Sequence, residues 1–169
     1  MRGPPTTSSA ASALRAWIGF ALLVAAHFGV RPLLGGRASV DFLVIAILFA
    51  AVRIRPGLAA LLGCAAGLAL DAMAPGTFGA AMLVMTAIAF GASWTKAVFF
   101  ADHVALTGLF VFLGKWIFDI GYVSIGGGLR GVDLVVQLLL WSPLSAALTA
   151  VVAIILLTAF RPLYRPQVA

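Results

Sequence analysis

The chain has 169 residues, of which 63% are hydrophobic and 9% charged, whereas an ordinary soluble domain carries roughly a quarter charged residues. Polar side chains are too few to cover a soluble fold of this size, so the polypeptide belongs in lipid, and a soluble enzyme or a disordered tail is excluded. The net charge of +6 (11 Lys and Arg, 5 Asp, no Glu) comes from basic residues scattered at the ends of apolar runs, with no basic stripe to follow a phosphate backbone, so nucleic acid is not an expected partner.

A span needs about 20 apolar residues at 1.5 Å rise, and the sequence predicts six. After a short tail over 1–15, the first apolar run is Ala16–Val30, with the span placed at about 16–34. Arg2 and Arg15 precede it and Val24-Ala25-Ala26 lies near its end, a loose imitation of a signal peptide. A retained first span is preferred, because its loss leaves an odd number of helices. The second run, Phe42–Val52, is closed by Arg53 and Arg55. It makes only about 18 Å of helix, short of the roughly 30 Å hydrocarbon core. Either the helix reaches back through Asp41 to Ser39, giving a span over 39–53, or it is a short, protein-shielded or re-entrant segment. The longer helix is preferred, with Asp41 near its N-terminus, where a carboxylate accepts from free N–H groups.

Pro56 then opens the third span (57–74), at a position where a missing N–H costs nothing. That span carries Asp71 and the lone Cys64, which can form neither an internal disulfide nor a cysteine-based metal site. The fourth span (78–98) is interrupted late by Ser93-Trp94-Thr95-Lys96, the fifth (104–125) carries Lys115 and Asp119, and the sixth (133–159) contains Pro143. A tail over 161–169 follows. The fold class is therefore an all-α integral membrane protein, a six-helix transmembrane bundle. With six spans, seven basic residues (Arg2, Arg15, Arg53, Arg55, Lys96, Arg161, Arg165) fall on one side and three (Arg31, Arg37, Arg130) on the other. The positive-inside rule then makes both termini cytoplasmic.

Ionisable groups inside a bilayer cost roughly 2.5–3.5 kcal/mol each on insertion scales, so each needs an account. Lys115 lies near the centre of span five, and Asp119 follows four residues later on the same face. The pair can neutralise itself, can form a coupling or ligand site beside Trp116, or can receive a polar group from a partner helix. Ala59, Gly63, Gly67 and Asp71 are four apart and form one ridge of small residues ending in a carboxylate. Such a ridge lets another helix backbone approach closely. It is either an internal contact, with Asp71 capping the next helix or bonding the turn, or a surface for a partner.

Gly35-Gly36-Arg37 and the Gly126–Gly131 stretch containing Arg130 read as flexible outer loops, not phosphate sites, since no GxxxxGK[ST] is present. His27 and His103 fall on opposite faces and cannot share a metal, and no Ser/His/Asp set or paired-carboxylate site exists. No catalysis and no cofactor is expected. Gln137, Trp141, Ser142 and Ser145 lie near one side of helix six. There Pro143 frees the carbonyl of Leu139, which a neighbouring helix is expected to compensate.

The layout resembles the MreD family of rod shape-determining proteins. The resemblance rests on Asp41 through Arg53 (acidic start, apolar run, basic stop), on Arg55-Pro56-Gly57 leading to Gly63, and on Gly67-Leu68-Ala69-Leu70-Asp71 followed by Pro75-Gly76-Thr77-Phe78-Gly79. It covers about residues 40–92; Val40 stands where the family often has Pro, and Lys115 and Asp119 match no family motif. The resemblance implies a non-catalytic scaffold of the bacterial inner membrane. It would bind the single-span protein MreC, and possible further partners are RodA and a penicillin-binding transpeptidase, with MreB filaments reached indirectly. The Gly63–Gly67–Asp71 ridge is the expected partner surface, and Arg53 and Arg55 the expected cytoplasmic contacts. The alternative is the substrate-binding S component of an energy-coupling-factor vitamin transporter, which is similar in architecture. Ala21 and Ala25 would then form its Ala-x-x-x-Ala element, and Lys115, Asp119, Trp116 and Gln137 would line a ligand pocket.

Overall fold

The computed structural model describes residues 7–30, 40–99, 104–128 and 130–160. Those residues are helical, with no strand among them. Six helices follow in order: α1 (Thr7–Val30), α2 (Phe42–Ala51), α3 (Pro56–Met73), α4 (Ala80–Phe99), α5 (Val104–Gly126) and α6. The last is continuous from Gly131 but changes winding. An α segment Gly131–Val136 passes through a π turn at Gln137–Trp141 into a second α segment, Ser142–Phe160. Among the described residues, three helices are long and apolar enough to cross a membrane: Pro56–Met73, Val104–Gly126 and Gly131–Ala159. Shorter apolar stretches are Ala16–Val30, Phe42–Ala51 and Ala80–Thr95. Arg2, Arg31, Arg37, Asp102, His103, Arg161 and Arg165 lie outside the described residues.

The shortest helix holds the centre. Every residue from Leu43 to Leu48 is buried, along with Ala51, because α1, α3, α4, α5 and α6 all pack against α2. A helix apolar on every side is the kind that other helices surround. This corrects the preferred reading of a span over 39–53. The helix is 10 residues long, about 15 Å, and begins after Asp41. The short, protein-shielded alternative describes it. Its backbone polar groups can end inside the bundle because side chains there receive them.

The α3–α4 hairpin is set by glycine. A Cβ on Gly63 would stand 2.5 Å from the Met85 carbonyl oxygen and 2.8 Å from the Ala89 Cβ, and one on Gly67 would meet the backbone of Ala81 and Met82. Only hydrogen at these positions lets the two backbones approach so closely. The other long pairing, α5 with α6, packs Gly108 beneath Ile154 and buries the small residues Ala146, Ala150 and Ala153.

The π turn explains how α6 tolerates Pro143. Proline cannot donate to the Leu139 carbonyl. The backbone widens one turn earlier, and the Ser142 N–H donates to the Gln137 carbonyl five residues back. The helix thus changes winding just before the proline. None of the residues from Gly131 to Trp141 is buried.

Candidate functional site: an ionic cluster inside the bundle

Asp41 is the N-cap of α2, and its Oδ1 accepts from the Val44 N–H at 3.4 Å. The carboxylate is 1% exposed. Its other oxygen, Oδ2, lies 3.2 Å from the Lys115 ammonium of α5. Lys115 also bonds Asp119 one turn further along its own helix and stands 5.2 Å from the Phe118 ring centre. His27 of α1 completes the group, with Nδ1 3.2 Å from Asp41 Oδ1. The Leu43 N–H lies 3.3 Å from the same Nδ1. From α6, the Thr149 hydroxyl oxygen accepts from the Asp41 N–H at 3.2 Å, and that hydroxyl donates to the Ser145 carbonyl at 2.8 Å.

Four helices therefore meet at the first turn of α2. Two carboxylates face one ammonium, and the excess negative charge lies where the free N–H groups and the helix dipole supply about half a positive charge. A buried ion pair gains little net stability over apolar packing, but losing one partner strands a charge. The cluster thus acts as a lock: it fixes where α2 begins relative to α1, α5 and α6. Lys115 lies 11 residues from each end of α5 (104 to 115, 115 to 126), about 16 Å from either end. Helix α2 consequently starts level with the middle of α5, not at its end.

The sequence points to Lys115 and Asp119 and misses Asp41 and His27 as their partners. Asp41 is 74 residues from Lys115, so no helical spacing links them. A signal was present: an apolar run too short to span, opened by an acid, places that acid inside the bundle. Of the residues grouped for a pocket on the S-component reading, Lys115 pairs with Asp41 and Gln137 lies in the unburied part of α6.

The ridge on α3 is occupied. Ala59, Gly63, Gly67 and Asp71 are the buried residues of α3, and Gly63 and Gly67 lie against α4 of the same chain. Of the two readings of the ridge, the geometry is that of the internal contact: the α4 backbone lies where a partner helix would have to enter. Asp71 Oδ2 accepts from the N–H groups of Gly79 (3.0 Å) and Met82 (2.9 Å), and Oδ1 from Ala81 (3.0 Å). One carboxylate on α3 thus caps α4, satisfying donors that helical bonding leaves over. Gly79, at φ +95°, makes the backbone reversal that points these donors back. Beside this turn the Thr77 and Tyr122 hydroxyls are 2.9 Å apart, tying it to α5.

Arg53 and Arg55 are both exposed at the turn between α2 and α3, where the Ser93 hydroxyl of α4 donates to the Ile54 carbonyl at 2.7 Å. Cys64 is a half-buried free thiol. Among the described residues no group of three His, Cys, Asp or Glu side chains is placed to hold a metal.

A model of the family described as rod shape-determining protein MreD matches residues 12–166. Searches of curated proteins and of solved structures gave no match. The match takes in all the helices that build the ionic cluster and the Asp71 cap, and the chain belongs to the MreD family of rod shape-determining proteins.

Proposed function

We propose that this protein is a non-catalytic, six-span scaffold of the bacterial inner membrane with both termini in the cytoplasm. It docks the membrane helix of MreC and so links cytoplasmic MreB filaments, indirectly, to RodA and its penicillin-binding transpeptidase. The observation that carries this reading is the family match over residues 12–166. The geometry supports it in a second way. His27, Asp41, Lys115 and Asp119 face one another inside the bundle, so the cluster reads as a structural lock.

The surfaces left for a partner are apolar helix faces. On α1 these include Trp17, Ile18 and Leu22; on α6 they include Leu139, Leu140 and Leu144. Packing in lipid depends on fit more than on apolar burial, and an α6 segment with no buried residue is the surface best placed to gain contacts. The outer half of α6 is therefore the proposed docking segment for MreC.

Depletion in a rod-shaped host tests the functional reading. Loss of the protein is expected to give round cells that regain rod shape with the intact gene. Cells that keep their rods while losing uptake of a vitamin would replace this reading with the transporter one.

A further inference from the structure

Among the described residues, His27 is the one buried side chain of α1. Phe20, Leu23 and Val24 add partial cover against the core, and α2 is the helix that α1 chiefly packs against. The hold on α1 therefore rests to a large extent on a titratable ring. The Nδ1 atom of that ring has two neighbours that ask for opposite states. Asp41 Oδ1, at 3.2 Å, needs a proton on the nitrogen, and the Leu43 N–H, at 3.3 Å, needs a lone pair. An imidazole nitrogen offers one or the other. The surrounding charges bear on the choice. Asp41 faces the ring from the start of α2, and behind it stand Lys115 and Asp119 of α5. From α6 comes only the uncharged Thr149 hydroxyl, and on α1 itself the Phe28 ring lies edge-on at 5.1 Å. With His27 neutral, two carboxylates share one ammonium and one negative charge is in excess. With His27 charged, the row His27, Asp41, Lys115, Asp119 alternates in sign and sums to zero. An unbalanced charge is costly away from water.

We propose that His27 Nδ1 is a proton-binding site that governs the attachment of α1 to α2. With the proton bound, Nδ1 donates to Asp41 and an ion pair ties the two helices. Without it, Nδ1 accepts from the Leu43 N–H, the proton of the neutral ring sits on Nε2, and Asp41 keeps only its contacts with Lys115 and Val44 among these groups. The proton comes from water and returns to it. Histidine is the side chain suited to such a change near neutral pH. The ion pair contributes only while the proton is bound, so α1 is held more firmly in acid and loosens as the pH rises.

The test has two parts, both on the full-length protein in detergent micelles. The chain has two histidines, so His103→Gln leaves His27 as the single source of histidine signals in nitrogen-15 NMR. Between about pH 5 and about pH 8, the Nδ1 signal is expected to move from the protonated to the unprotonated position while Nε2 keeps its hydrogen. An Nδ1 protonated throughout is a fixed donor to Asp41, an Nδ1 bare throughout is a fixed acceptor, and either result overturns the proposal. The second part places spin labels at Ile18→Cys on α1 and Leu61→Cys on α3, both exposed positions, in a Cys64→Ser background. The distance distribution is expected to widen as the pH rises, and in His27→Gln to be the same at both ends of the range. A distribution that does not change with pH in the parent, or that changes equally in His27→Gln, overturns the proposal. If His27→Gln folds poorly, the NMR titration and the parent's distances decide the matter.

Discussion

Lys115 and Asp71 are each one side chain on which several backbone or charged groups depend, and they depend in different ways. Lys115 separates two carboxylates. Replacing it with Met leaves the buried Asp41 and the half-buried Asp119 without their shared cation, at an expected cost of about 3–5 kcal/mol, read as a lower unfolding midpoint in detergent. Removing the second charge as well, as Lys115→Met with Asp119→Leu, leaves a single carboxylate at the N-terminus of α2, where the dipole favours it. The double variant is expected to be more stable than Lys115→Met alone; equal or greater loss would show that the cluster is not held by charge balance. Asp71 instead accepts three N–H groups, from Gly79 and from Ala81 and Met82 in the first turn of α4. Asp71→Ala is expected to cost about 3 kcal/mol or more, measured the same way, and an unchanged midpoint would remove the cap from the account. Residue-level chemistry was half legible in the sequence. The i, i+4 spacing exposes Lys115 and Asp119 as a pair, and the Gly-Thr-Phe-Gly stretch after Asp71 marks a turn needing a cap. The links from Lys115 to Asp41 and from Asp41 to His27 cross between helices, and hydropathy carries no record of which helices touch.

At the scale of elements, apolar run length separates α2 from its neighbours. Helices α3 to α6 cover the long apolar runs, since burial of apolar side chains and closure of backbone bonds favour the same segments, whereas α1 begins at Thr7, nine residues before its apolar run. Helix α2 breaks the pattern because Asp41 both caps it and binds Lys115, so the backbone ends its helix at an internal ion pair instead of at a lipid headgroup. The α3–α4 hairpin shows the opposite case: its four-residue spacing of small residues was visible, but spacing alone does not say whose backbone fills the groove. Gly63→Val and Gly67→Val are expected to destabilise the protein by about 1–3 kcal/mol, through forced separation of α3 from α4. Unfolding midpoints equal to wild type would mean that the hairpin is looser than described. In α6, cysteine crosslinking tests the docking segment. Leu140→Cys is expected to crosslink to a cysteine in the membrane helix of MreC, while Leu61→Cys on α3 is not; the reverse pattern moves the interface to the other side of the bundle.

The whole molecule has a locked interior and an apolar exterior. Three helices long enough to cross a membrane, a central helix covered on all sides and a family match across residues 12–166 together describe a membrane protein of rod shape determination whose polar chemistry is turned inward. On the proposed reading, such a molecule acts by what it holds beside it. The most direct measurement is co-purification of the intact protein with MreC from the same bacterium, after detergent extraction and size-exclusion chromatography. The account predicts a complex of defined stoichiometry that is lost when the outer half of α6 is made polar, as in Leu139→Asn with Leu140→Asn, while the variant remains folded. Recovery of the protein alone, together with saturable binding of a vitamin-like compound, would contradict it.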